Sequence, residues 1–139
     1  MSVSAGIFFY SKTTKRFLYL LRTDARNPGT WGIPGGKLDK GETLLEGVER
    51  ECIEEIGFFP PDPKLVPIQK FVNKNFTYHT FFCELENEFI PKLNDEHCGY
   101  AWVGDNQYPK PLHPGLFSSL SNADIQQKLT TMKDILEIA

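Results

Sequence analysis

Nowhere does the 139-residue sequence contain an apolar run approaching the ~20 residues that a membrane-spanning helix needs. The opening stretch MSVSAGIFFY has one short apolar run with no basic region before it, so no leader is expected and the cytoplasm is the expected location. Cysteine is scarce. Cys52, Cys83 and Cys98 are odd in number and lack C-x-x-C spacing, which argues against a disulfide framework or a zinc site and for reduced thiols. An excess of positive charge is also missing: the formal net charge is −3, so no stable nucleic-acid complex and no binding to anionic membranes are expected. There are no repeats, low-complexity tracts or dividing linker, and 40% apolar residues suit a globular chain. One domain spanning residues 1–139 is therefore expected. Several catalytic motifs are absent too. Lys37 follows Gly36, but the glycine a Walker loop requires five positions earlier is Trp31, and neither G-x-S-x-G nor H-E-x-x-H occurs.

What the chain does have is a local crowd of acids. Between Lys37 and Phe58 stand seven carboxylates and three cations, out of 18 and 15 in the whole chain. The rest, with 11 acids and 12 cations, is close to neutral. The acidity belongs to one segment.

That segment reads as a helix with clear ends. Thr43 and Glu46 make a T-x-x-E capping box, Gly57 suits the left-handed residue after the last turn, and Pro60-Pro61 stop continuation. Leu44, Leu45, Val48, Cys52 and Ile56 fall on one face and are assigned to the core. Residues 2–10 and 16–22 read as strands of a hairpin around SKTTK, followed by a Gly/Pro-punctuated loop with a short strand near Trp31 to Ile33. KLVPIQKFV and FTYHTFFCEL read as strands joined by NKN, and GYAWVG as another. ADIQQKLTTMKDILEIA closes the chain as a helix with Ile125, Leu129, Met132, Ile135 and Leu136 as its apolar residues. This order predicts an α/β fold, an α/β/α sandwich with a mixed sheet between helices.

With Val48 as the reference on the helical wheel, Glu55 lies about 20° away, Glu51 about 60° and Glu54 about 120°. Two of these acids thus sit on or beside the buried face, where an unpaired carboxylate is costly. Acids three and four residues apart also repel. A divalent cation would resolve both problems. Oxygen ligands on adjacent turns suit Mg²⁺ or Mn²⁺, and no histidine or cysteine shares that flank of the helix to favour zinc. Gly47 lies between Glu51 and Glu54 on the wheel and is expected to clear space for a bulky ligand, since a mid-helix glycine costs roughly 1 kcal/mol against alanine. The competing reading is a solvated acidic face laced with ion pairs, in which metal would not alter stability.

The stretch also resembles the signature of the Nudix hydrolase superfamily, with its box at about 36–58. Gly36 is followed after five residues by Glu42, and seven residues later by Arg50-Glu51-Cys52-Ile53-Glu54-Glu55-Ile56-Gly57-Phe58. Every charged and glycine position matches. Cys52 stands where a larger aliphatic is commoner and should affect packing alone. The resemblance implies a Nudix-type sandwich and Mg²⁺-dependent hydrolysis, by water, of a nucleoside diphosphate linked to another group. It implies Glu51 and Glu55 as metal ligands, Glu54 as a further ligand or orienting group, and a carbonyl of Gly35 or Gly36 as an added oxygen. Glu42 and Arg50 are expected to brace the loop against the helix.

Outside the box, Glu96 resembles the extra glutamate that many small Nudix hydrolases bring from a downstream loop as metal ligand or base; the plain alternative is a surface acid. His97 and His113 read as surface or hydrogen-bonded histidines. Arg22, Gly35, Gly36 and Lys37 are candidates for contacts to substrate. Trp31, Phe76 and Tyr78 read as packing before ligand binding. The expected substrate is a small nucleotide, with a lean toward (d)NTP-type molecules. ADP-ribose, nucleotide sugars and dinucleoside polyphosphates stay open, as does a non-catalytic nucleotide-sensing module. The expected state is a monomer or homodimer.

Overall fold

A computed structural model describes residues 2–104 and 107–138. Its centre is a seven-stranded mixed sheet. β1 (Ser2–Ser11) and β2 (Arg16–Arg22) form the expected hairpin, yet they pair only beside the turn, Tyr10 opposite Phe17 and Ser11 opposite Arg16. Farther along, β1 takes β4 (Gly35–Lys37) on that edge, while β2 takes β3 (Trp31–Gly32). The two hairpin strands therefore part, and the Gly/Pro-rich segment between Trp31 and Lys37 fills the opening. The sequence reading gave only one short strand here, because a three-residue strand carries no measurable periodicity.

On its other edge β1 runs parallel to β6 (Phe76–Leu85) along its whole length, from Ser2 opposite Phe76 to Ser11 opposite Leu85. β5 (Leu65–Val72) pairs antiparallel with β6 across the predicted turn. β7 (His97–Val103) pairs antiparallel with β2 and begins two residues before the expected GYAWVG strand, because His97 pairs with Arg22 past an irregularity at Leu21/Arg22.

Alternation along β1 sorts the core into two layers. Ala5, Ile7 and Phe9 pack with Val48, Cys52 and Ile56 of α1 (Leu44–Ile56). Phe8 and Tyr10 face Leu116 and Leu120 of α2 (Pro114–Leu120) and Ile125 and Leu129 of α3 (Ala123–Ile138). This is the expected sandwich. Burying a side chain such as Val48 or Ile56 contributes about 1.5–3 kcal/mol.

α1 begins with the predicted capping box: Glu46 N–H donates to Thr43 Oγ1, and Thr43 N–H donates to Glu46 Oε1. It ends at Gly57 in the left-handed conformation, φ 68°. Two residues assigned to apolar faces are solvent-exposed, Leu45 at 48% and Ile135 at 55%. Both share the angle of a buried face, but angle alone does not decide burial where a helix meets no neighbour. α2 is a helix for which the sequence reading held no expectation. Pro114 occupies its first turn and the His113 side chain accepts from Gly115 N–H, so the Pro-rich PLHPGL segment opens a helix.

Candidate functional site

The site is assembled where α1 passes the opening between β1 and β2. Gly35 has φ 141°, and a Cβ there would lie 2.1 Å from the Ala5 carbonyl oxygen, so only glycine fits this approach of β4 to β1. Its N–H donates to Glu55 Oε1 at 2.8 Å. Glu55 is 4% exposed, as the helical wheel anticipated. Burial pushes its carboxyl up to about 9, with Glu51 and Glu96 adding repulsion and the Gly35 N–H opposing.

Glu51 lies one turn earlier and is half-buried. Burial raises its pKa even though Arg50 Nη1 pairs with it at 3.1 Å. Its carboxyl sits against Gly36, where a Cβ would come within 2.7 Å of Glu51 Cδ. The glycine that clears space at the carboxylates is thus Gly36. Gly47, expected to do so, instead packs beside Leu38, whose Cγ would lie 2.5 Å from an added Cβ. Gly47 lets the loop close on the helix, and the ligand-access expectation is corrected accordingly.

Arg50 is the hub of the exposed side. It grips both oxygens of Glu42, Nε to Oε2 at 2.9 Å and Nη2 to Oε1 at 3.0 Å, and donates to the Lys37 carbonyl at 3.1 Å. Its Nη1 also reaches Glu54 Oε1 at 3.4 Å. The ion pair holds Glu42 below the usual carboxylate range. Lys37 itself is exposed.

The loop before β7 supplies a second set of groups. Thr23 anchors it, donating from N–H to the Glu96 carbonyl and from Oγ1 to the Asp95 carbonyl, both at 2.9 Å. Ligand atoms of Glu55, Glu96 and His97 consequently lie within 4.8 Å of one another. His97 is 8% exposed and its Nδ1 is 3.9 Å from Glu55 Oε2. Burial, with the Arg22 charge next, drives its pKa down to about 4. His97 was read as a surface or hydrogen-bonded histidine. It is not a surface residue, and its Nδ1 is buried without a hydrogen-bond partner. No local pattern could reveal this, because the loop's docking against Thr23 decides it.

Arg22 is clasped by Asp24, Nε to Oδ1 at 3.2 Å and Nη2 to Oδ2 at 2.5 Å. Tyr78 was read as packing, and its phenol does stand over Gly6, where a Cβ would meet Oη at 2.2 Å. Its pKa is pushed up to about 12, by burial first and then by Glu55. Trp31 packs in the α2/α3 layer as expected, and Phe76 lies 5.7 Å from Phe71, centroid to centroid. His113 shares a 3.2 Å hydrogen bond with Asn27 in addition to capping α2. A groove of about 690 Å³ runs along the outer side of α1 between Glu46, Ile53, Phe59 and Pro60; it touches the acidic cluster through Arg50 and Glu54 but not Glu55, Glu96 or His97.

The described helices include none long and apolar enough to cross a membrane. The family model for the NUDIX domain matches residues 2–122. A nucleoside triphosphate pyrophosphatase/Nudix hydrolase fusion protein of Bifidobacterium longum is 37% identical over 84 residues, 58% of this chain but only 17% of that protein's length. The dihydroneopterin triphosphate diphosphatase of Haemophilus influenzae is 29% identical over 117 residues, 72% of each chain. Among solved structures, a Nudix hydrolase from M. smegmatis superposes with a TM-score of 0.75 over 93% of this chain and 85% of its own; at 22% identity, that likeness speaks to the fold alone.

Proposed function

Because the chain belongs to the NUDIX domain family, we propose that it is a hydrolase cleaving a phosphoanhydride bond of a nucleoside diphosphate linked to another group, with Mg²⁺ as cofactor and (d)NTP-type nucleotides as substrates. The observation that carries this reading is that Glu51 and Glu55 lie against the glycines of β4 while Glu96 comes close to Glu55. The donors fit a hard cation: Glu51 and Glu55 sit on successive turns, and Gly36 leaves open the space a Cβ would fill beside Glu51. Glu51 and Glu55 would hold the ion, with Glu54, Glu96 and a Gly35 carbonyl as further oxygens. Mn²⁺ offers the same preference for oxygen ligands. When bound, the ion neutralises the diphosphate and polarises its P–O bonds.

The chain's own groups do the rest. Water attacks phosphorus, the bridging P–O bond breaks, and the leaving group departs with that oxygen. The water's proton passes to a carboxylate; Glu54 and Glu96 are the exposed acids that reach solvent beside the buried pair. Arg22, on β2, and Lys37, the last residue of β4, are the cations proposed to meet phosphate oxygens. Glu42 and Arg50 keep the loop on the helix and touch no substrate. A small-nucleotide preference draws support from the named triphosphate substrate of the H. influenzae relative. A non-catalytic sensing module is disfavoured, since Glu42, Glu51, Glu54 and Glu55 are all retained. Cys52, Cys83 and Cys98 are all free, which supports a reducing cytoplasm.

The test is release of phosphate or pyrophosphate across a nucleotide panel, with Mg²⁺ and with chelator. Glu54→Gln and Glu55→Gln should each lower kcat by orders of magnitude in folded protein. Full turnover in both variants would locate catalysis elsewhere.

A further inference from the structure

The acids of the site fall into two groups. Glu42, Glu51 and Glu54 are gathered on the exposed side by Arg50. Glu55 and Glu96, oxygen donors of the proposed metal site, also lie with His97 in a second cluster whose ligand atoms are within 4.8 Å of one another. We infer that this second cluster is a cation position with a nitrogen donor, His97 Nδ1, and that it selects Mn²⁺, Co²⁺ or Zn²⁺ over Mg²⁺. The inference rests on the reading that the α1 carboxylates bind divalent metal, and it adds to that reading a ligand and a metal preference.

Three observations carry it. His97 Nδ1 is buried and unpartnered, a costly state unless some group satisfies it. It points toward Glu55 Oε2 at 3.9 Å, too long for a hydrogen bond between them. Two ligands about 2.1 Å from one ion lie between about 3.0 Å apart at a right angle and about 4.2 Å when opposed, which brackets that separation. The side chain is also held in place before any ion arrives. His97 pairs with Arg22 in the sheet, and Thr23 fixes the carbonyls of Asp95 and Glu96 beside it. Glu96, being exposed, is free to swing onto the ion and close the set.

Chemistry sets the preference. Mg²⁺ takes oxygen donors and keeps its waters, whereas imidazole suits transition metals. The helix flank alone offers no such donor; His97 comes to it from β7.

The deciding experiment is pulsed electron paramagnetic resonance on the full chain loaded with Mn²⁺ alone. Nitrogen modulation from a bound imidazole is expected in the wild-type protein and should vanish in His97→Gln. Calorimetry should show Co²⁺ affinity falling at least about tenfold in the same variant, with Mg²⁺ affinity nearly unchanged. His97→Asn serves as a second variant should the first not fold. Mn²⁺ bound without nitrogen modulation, or with modulation that survives His97→Gln, overturns the inference and leaves the hydrolase reading standing. No Mn²⁺ binding at all overturns both.

Discussion

Replacing Glu55 by glutamine removes a carboxylate from the centre of the site, yet it is expected to stabilise the metal-free protein at alkaline pH. The carboxyl is 4% exposed, and burial lifts its pKa from 4.5 to about 9. Between those values the folded chain keeps a proton that the unfolded chain gives up, so stability falls as pH rises, by about 1.4 kcal/mol per unit. Glu51, raised for the same reason, acts in the same direction. His97 works in another range: lowered from 6.5 to about 4, it contributes stability above pH 6.5 that is lost as pH falls toward 4. Cys83, raised from 9.0 to about 11, matters only at higher pH. The interval from about pH 6.5 to 8.5 lies clear of the His97 and Cys83 ranges, and across it Glu55 by itself should cost the wild-type protein roughly 3 kcal/mol. Glutamine keeps an oxygen for the Gly35 N–H but has no proton to lose, so its curve should fall less steeply, the slope that remains being that of Glu51. Urea unfolding in chelator at several pH values, on both proteins, measures this. Divalent metal at about 100 times its Kd should return about 2.7 kcal/mol to the wild-type chain and less to the variant. Parallel stability curves for the two metal-free proteins would refute the reasoning.

The remaining predictions concern the scaffold of the site. Arg50→Met and Glu42→Gln should each lower the unfolding free energy, and the double variant should cost less than their sum, because each removes the same bidentate pair. Additive losses would show that the two act separately. Gly36→Ala should weaken Mg²⁺ binding about tenfold by calorimetry with little change in Tm, since its Cβ meets the movable Glu51 side chain. Gly35→Ala should instead lower Tm sharply, because its Cβ meets the backbone at a positive φ, strain worth about 1–3 kcal/mol before the clash is counted. Equal thermal behaviour in the two alanine variants would contradict the packing described for β4.

α1 was legible almost residue by residue because its determinants are local. The capping box joins residues three apart, the buried stripe repeats within one helix, and Gly57 ends it through its own backbone. The burial of Glu55 followed from the same stripe. The strands β1, β2, β5 and β6 were visible through their composition, and the sandwich through element order. Features that depend on a neighbour were harder to read. Leu45 and Ile135 matched apolar positions yet are solvent-exposed. Gly47 looked like space for a ligand until Leu38 was found beside it. β4 and α2 were too short, and too rich in glycine or proline, to show a period.

From the sequence alone came the inventory and its local geometry: which turn carries each carboxylate, where the helix starts and stops, and which residues alternate along a strand. Those properties are set by backbone sterics and spacing within a few residues. The tertiary structure alone decided that β1 and β2 part to admit β4, that Gly36 opens onto Glu51, and that the loop before β7 carries Glu96 and His97 to Glu55. Such meetings join residues between 15 positions apart, Gly36 and Glu51, and 42 apart, Glu55 and His97, and strand register fixes them. A slip of one residue would turn each side chain to the opposite face of the sheet.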